Sequence, residues 1–334
     1  MTAGQPRAQK DSSLPLIAGI IAGGTVLVAL IAGVALVMMS RGGDQKVGGT
    51  TFERAVETMD WEAVSLNGRV SFRYVDLAQY RESFDVDQAS DLDLGPTLLD
   101  LAMPNEVARS SGTCRADRDD LRAGLIPSAT YSVVTLRAGI VAPGQELFDT
   151  VAASWTGGEC GMTRSGDVVS GGEGPVPGPR VELTDDLFVS TQGAPRAPTF
   201  ERGRGDLFGD TGASDLRPCI GERPLVVTLH AVPDSARAGV NVPDHVTAIA
   251  LVTETKAKGE MSSRVCVATD GSVEAVKTAL ETKQPGRSKM TPTNIAVDGS
   301  VITADLQSGG EDQYGGDPQV VLHSAVPEAT GFLF

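Results

Sequence analysis

Apolar positions along this chain follow two regimes. From Leu14 to Met39 they run for 26 residues without a charge, bounded by Asp11 before and Arg41 after. At 1.5 Å per residue such a helix is about 39 Å long, ample for a hydrocarbon core of about 30 Å. A cleaved signal peptide has a shorter apolar region and ends in a small-x-small site, whereas this run exits through Val37-Met38-Met39-Ser40-Arg41. The pattern predicts an uncleaved signal anchor, a single transmembrane helix over 14–39.

Past a glycine-containing juxtamembrane linker at 40–49, apolar residues alternate with polar ones instead of running on. Thr50-x-x-Glu53 has the form of a capping box, with Phe52, Val56 and Met59 at helical spacing behind it, and predicts a short helix. Ala63–Leu66, Asn67-Gly68 and Arg69–Tyr74 then read as a hairpin. Val70, Phe72 and Tyr74 face inward there, while Ser71 and Arg73 face water. Further strands are expected at Tyr131–Leu136, Leu147–Trp155, Val181–Ser190, Leu225–Val232, His245–Thr255, Val265–Thr269 and Gln319–Val326. Asn294–Val297 and Ser300–Thr303 form a second hairpin around Asp298-Gly299, and Ser272–Lys283 places Val273, Val276 and Leu280 on one helical face. The sum is an α+β, β-dominated region of antiparallel sheet following one N-terminal membrane helix.

Residues 191–218 show no sustained period and predict a loop or linker. It would divide a membrane-proximal β-rich domain at 50–190 from a distal one at 219–334, behind a cytoplasmic tail at 1–13. The basic residues flanking the helix are nearly balanced, with Arg7 and Lys10 on one side and Arg41, Lys46 and Arg54 on the other. Orientation therefore rests on the long following region, which translocates largely regardless of charge, and on the cysteines. Both place 40–334 outside the cell membrane.

All four cysteines lie beyond the helix, as Cys114 and Cys160, then Cys219 and Cys266. Spacings of this size exclude a Cys-x-x-Cys redox motif and a zinc ribbon, and the simplest pairing joins each cysteine to its neighbour in sequence. The strand Ser132-Val-Val-Thr-Leu recurs as Leu225-Val-Val-Thr-Leu, but at an offset that the cysteines do not share, which favours independent halves over a duplication.

Charge narrows the function classes. The chain has 334 residues, 28 basic and 43 acidic, for a formal net charge of -15. Such a chain repels phosphate backbones, and with aromatics at only 4% it also lacks base-stacking platforms, so nucleic acid is excluded as a partner. Arginine outnumbers lysine by 21 to 7, and glycine, alanine, valine and aspartate abound, the usage of a high-GC bacterial genome.

Chemistry-bearing motifs are sparse, with no G-x-S-x-G elbow, phosphate loop or H-E-x-x-H helix. His230 ends one expected strand and His245 opens the next, so hairpin pairing would bring their imidazoles together, with Asp234 or Asp244 as a carboxylate. That set would suit a zinc site or a general base. Asp206, Asp210 and Asp215 in a glycine-rich loop are the calcium alternative. Within the membrane helix, Ala18, Ala22, Thr25, Ala29 and Gly33 form one stripe of small residues. Such a stripe lets another helix approach closely, from a membrane-protein partner or a second copy of the chain.

The sequence thus predicts a single-pass, membrane-anchored extracytoplasmic binding or assembly protein of a bacterial cell envelope, non-catalytic and without a cofactor. The alternative is an anchored hydrolase or metal-dependent enzyme using His230 and His245.

Overall fold

Strand β1 (Val70–Asp76) organises the fold, because both of its edges are taken. In the computed structural model, which describes residues 50–57, 70–84, 102, 107, 118–125, 127–135, 138–157, 160–171, 179–191, 213–231, 245–257, 260–282 and 290–308, β1 pairs antiparallel with β2 (Tyr131–Thr135) on one side and β8 (Val226–Ala231) on the other. All of these residues belong to one compact unit, Gly49–Phe334. The predicted membrane helix at 14–39 and the last predicted strand at Gln319–Val326 lie outside the described residues. Among the described residues no helix is long and apolar enough to cross a membrane.

From β1 the sheet grows both ways. One wing continues through β3 (Ala138–Ala142), then β7 (Leu187–Thr191), β6 (Arg180–Thr184), β5 (Val168–Ser170) and β4 (Thr163–Ser165). The other runs from β8 to β9 (Val246–Ala257), β10 (Glu260–Thr269), β12 (Val301–Ser308) and β11 (Met290–Asp298). Together they make one twelve-stranded sheet, and every described strand pairing in it is antiparallel. The β-dominated antiparallel expectation therefore holds. Strands from both sides of 191–218 share this sheet, joined where β1 meets β8; the segment itself lies largely outside the described residues.

Period-two alternation gives the sheet two different faces. On one, Tyr74, Val133, Val227 and Val252 stand in a row of opposed residues, with Phe72, Leu229, Ala250 and Cys266 in the next. This face is covered by α1 (Thr51–Glu57), through Phe52, Ala55 and Val56, and by Ala213, Leu216 and Ile220 of a short helical segment. The segment comprises a 3-10 turn at Ser214–Leu216 running into a helical turn, Arg217–Ile220. The opposite face carries two separate apolar clusters. One contains Val75, Val141 and Phe188 beneath α2 (Leu77–Phe84), α3 (Arg118–Leu125) and α4 (Gln145–Thr156). The other contains Ile249, Leu251, Val265 and Ile302 beneath α5 (Val273–Thr282).

The capping box is formed as expected: the Glu53 amide donates to Thr50 Oγ1 (3.2 Å) and the Thr50 amide to Glu53 Oε2 (3.0 Å). Four other expectations need correction. Leu147–Trp155 is not a strand but most of α4, whose buried residues Leu147, Phe148, Val151, Ala152 and Trp155 repeat at helical spacing. Branched and aromatic side chains suggested a strand, yet alternation would have put Asp149 on the same side as Leu147 and Val151. β1 has no wet face, because it lies in the middle of the sheet: Arg73 is only 8% exposed. Val181–Ser190 is two strands rather than one, turning at Asp185-Asp186, where both residues adopt the positive φ of a primed hairpin turn. The last hairpin pairs Asp298 with Val301, so its two-residue turn is Gly299-Ser300 rather than Asp298-Gly299. Gly299, at φ 59°, fills the first central position that such a turn reserves for glycine.

The bridge Cys219–Cys266 is present, with Cα atoms 6.1 Å apart, and ties the helical turn at Arg217–Ile220 to β10. A loop of 47 residues closed this way stabilises by about 4 kcal/mol in the chain-entropy account. The other expected pair, Cys114 with Cys160, lies outside the description because Cys114 does; among the described residues there is no free cysteine.

Close approach at the start of α4 gives a direct test of this packing. A Cβ on Gly144 would stand 2.0 Å from Phe188 N and 2.7 Å from Phe188 Cα, and backbone cannot yield as a flexible side chain does. Gly144→Ala should cost about 3 kcal/mol or more in denaturant unfolding. Gly299→Ala, whose Cβ would meet nothing within 4 Å, should cost only the left-handed penalty of about 1–2 kcal/mol. Equal losses would refute the packing of α4 against β7.

Candidate functional site

At the end of β1 the chain turns directly into a helix, and Asp76 makes the turn. Its Oδ1 accepts the Gln79 amide (2.8 Å), capping α2, and its Oδ2 accepts the hydroxyl of the fully buried Tyr74 (3.1 Å). Burial raises the Asp76 carboxyl above its ordinary value, against the opposing pull of these hydrogen bonds and of the Arg223 and Arg81 charges. Burial and the neighbouring Asp76 also push the Tyr74 phenol up, so it remains a donor. Arg81 closes the same corner by donating to the Ala129 carbonyl (2.6 Å).

Next to this corner is a cleft of about 530 Å³, lined by Gln79, Glu82 and Ser83 of α2, Arg223 of the turn before β8, and Glu254, Thr255 and Lys256 near the end of β9. The volume lies within the range of about 300–1,000 Å³ usual for small-ligand sites. Gln79 Nε2 donates to Thr255 Oγ1 (2.9 Å), fastening the helix wall to the strand wall. Glu254 is neutralised on its far side: Arg264 Nη1 and Nη2 donate to its two carboxylate oxygens (2.8 and 2.7 Å), a bidentate pair. The same guanidinium donates to the Cys219 and Ile220 carbonyls (2.7 and 3.2 Å), so the disulfide-held turn also fixes this wall. Arg223 and Lys256 are exposed, and neither forms an ion pair among the described residues. The lining is thus polar, with two cations beside two carboxylates of which one, Glu254, is already paired with Arg264.

The structure separates the histidines named from the sequence. His230 on β8 stands opposite Ser71 and Ile249, four residues from His245 along β9, roughly 13 Å at strand rise. His245 adopts φ 76° at the mouth of β9, with Nδ1 3.6 Å from Asp270 Oδ1, and its ring occupies the space that a side chain at Gly271 would need. Asp234 and Asp244 lie outside the described residues, as do Asp206, Asp210 and the membrane stripe Ala18, Ala22, Thr25, Ala29 and Gly33. Asp215 accepts the Ser300 hydroxyl (2.6 Å). Among the described residues no group of three or more potential ligands is arranged to hold a metal.

Sequence reasoning missed the cleft because its walls come from three distant segments, and Leu77–Phe84 was not read as a helix. One local signal was available: Asp76, three residues before Gln79 and directly after a strand, has the form of an N-cap. No family model matches the chain, and no curated protein or solved structure is significantly similar to it.

Two carboxylates make the site and its surroundings testable through pH. Asp76 holds its proton more tightly folded than unfolded, so it adds stability as pH falls through its raised folded value toward about 3.9. Glu53 is the opposite case: hydrogen bonding from Arg217, then from the Thr50 backbone, lowers its value. Its stabilisation is present above about 4.3 and is lost as pH falls through the folded value. In urea unfolding across pH 3–7, the stability of the parent relative to Asp76→Asn should therefore rise on acidification, and relative to Glu53→Gln it should fall. Asp76→Ala, which removes both the cap and the acceptor of Tyr74, should cost about 1–3 kcal/mol at neutral pH. Parallel curves for the parent and both amide variants would refute these assignments.

Proposed function

We propose that this chain is a single-pass, membrane-anchored binding or assembly protein of a bacterial cell envelope, with its sheet outside the membrane, and that it is not a catalyst. The apolar run at 14–39 supports the anchor. The Cys219–Cys266 bridge supports the compartment, since such bridges persist where the environment is oxidising. The cleft between α2 and β9 carries the binding reading: it joins a ligand-sized volume to hydrogen-bonding groups and unpaired cations on elements that are braced from behind. A hydrolase using His230 and His245 has less support, because the β8–β9 register sets the two residues apart.

In the membrane, the small-residue stripe would bring the helix against a partner helix or a second copy of the chain. The glycine-rich linker at 40–49 would tether the recognition surface flexibly to that helix.

Purification of the full-length protein in mild detergent should retain an envelope partner. Thiol labelling of intact cells should find no reactive cysteine, with four appearing only after denaturation and reduction. Ala29→Leu should weaken helix association, measured by cross-linking in lipid, while Leu30→Ala on another face should matter less. Four thiols labelled in the denatured but unreduced protein would reverse the compartment. A preparation with no partner in any of these conditions would remove the binding reading.

A further inference from the structure

Resting on the binding reading above, we infer that the cleft takes an extended peptide with a free carboxylate, added edge to edge onto the overhanging end of β9. The strand bonding comes first. β9 runs to Ala257, but its pairing with β8 stops at Val226 opposite Thr253, where Thr253 O accepts the Leu225 amide (2.8 Å). Groups two residues apart in a strand point the same way. The N–H and C=O of Thr255 therefore face the edge that β8 has left, where no described strand pairs with them. The chain before β8 stays near this end of β9, with Gly221 close to the Glu254 carboxylate and Arg223 in the same cleft, but it forms no strand there and Pro224 has no amide to donate. What remains is a strand edge with a short open stretch, bounded by the Gln79, Glu82 and Ser83 side of α2.

An open edge of this kind recognises main chain, and it is satisfied by an incoming strand rather than by a compact ion. Charge then selects the end of that strand. Among the described residues Arg223 and Lys256 are exposed cations that form no ion pair, although the Arg223 charge reaches Asp76, and of the two carboxylates lining the cleft Glu254 has both oxygens engaged by Arg264, which leaves Glu82. A peptide carboxylate supplies the missing charge, and the planar Arg223 fork is suited to hold it. The length of the overhang, Glu254–Ala257, limits the main-chain pairing to a few residues. The preferred ligand is therefore a chain terminus rather than the middle of a folded strand.

The experiment uses the full chain in detergent and individually tested, N-terminally fluorescein-labelled tetrapeptides, each as free acid and as C-terminal amide, followed by anisotropy. Free acids should bind, and amidation should weaken them roughly tenfold, the scale of one charge-assisted contact. Arg223→Gln and Lys256→Gln should weaken the free acids by a similar factor, while Lys277→Gln on α5, far from the cleft in sequence, should leave them unchanged. Because these side chains are exposed, the variants keep the fold. Hydrogen exchange at the Thr255 amide should slow when peptide binds. The inference falls if no free acid binds, if acid and amide bind alike, or if Arg223→Gln changes nothing. It falls too if inorganic phosphate or anionic vesicles take the Arg223 site in preference to every peptide. Failure of the peptides with a partner still retained in detergent leaves the binding reading standing; failure of both removes both.

Discussion

The pairing of β1 with β8 is the constraint on which the rest of the structure depends. These strands are far apart in the sequence, and bringing them together closes a long loop before any contact rewards it. Once formed, the pair seats Tyr74 against Val227 and Phe72 against Leu229 on one face, and Val75 against Val226 on the other. Each wing of the sheet then extends by connections that are mostly local, β2 to β3 and β6 to β7 on one side, β9 to β10 and β11 to β12 on the other. A central strand with both edges filled and both faces covered has no tolerance for slippage, because a shift of one residue would exchange its faces. That is why the charged Arg73 is buried here while equivalent positions on edge strands stay exposed.

The same constraint creates the cleft. Where β1 ends, Asp76 must stop the strand and start α2 within one residue, so its carboxylate is drawn inside to cap the helix and to accept from Tyr74. β8 begins at this end too, while β9 continues, and the mismatch in strand length leaves β9 with an uncovered edge. Arg264 and the Cys219–Cys266 bridge stiffen that edge from the opposite face of the sheet. The cleft therefore follows from how strands of unequal length are joined, with Glu254 in its wall held by Arg264.

Much of this sheet was legible residue by residue, and the losses have physical causes. β2, β8, β9, the end of β10 and α5 each carry their own alternation or helical period, so they could be read locally. The capping box of α1 was legible for the same reason, since its partners lie three residues apart. α4 was misread because Leu147, Phe148, Val151 and Trp155 favour strands by type while repeating as a helix, and here position outweighs propensity. The burial of Arg73 could not be read at all: whether a polar residue faces water depends on where its strand sits in the sheet, which is a property of topology. Nor could the register of β8 against β9 be read, although it decides that His230 faces Ile249 and stands away from His245. The cleft shares that limit, since Gln79, Arg223 and Thr255 signal nothing until the fold joins them.

The two cations of the cleft have meaning only against the charge of the whole chain. In a chain of net charge -15 carboxylates outnumber cations, and among the described residues Arg164, Arg180, Arg217, Arg264 and Lys277 each pair with one. Arg223 and Lys256 have not, although Glu254 lines the same cleft, because Arg264 holds both of its oxygens. Without that clamp, Glu254 would be free to pair with the cations that share its cleft. Arg264 thus has two roles, fastening the disulfide-held turn and engaging both oxygens of Glu254. On so acidic a chain, two cations beside a clamped carboxylate are a local departure from the overall charge.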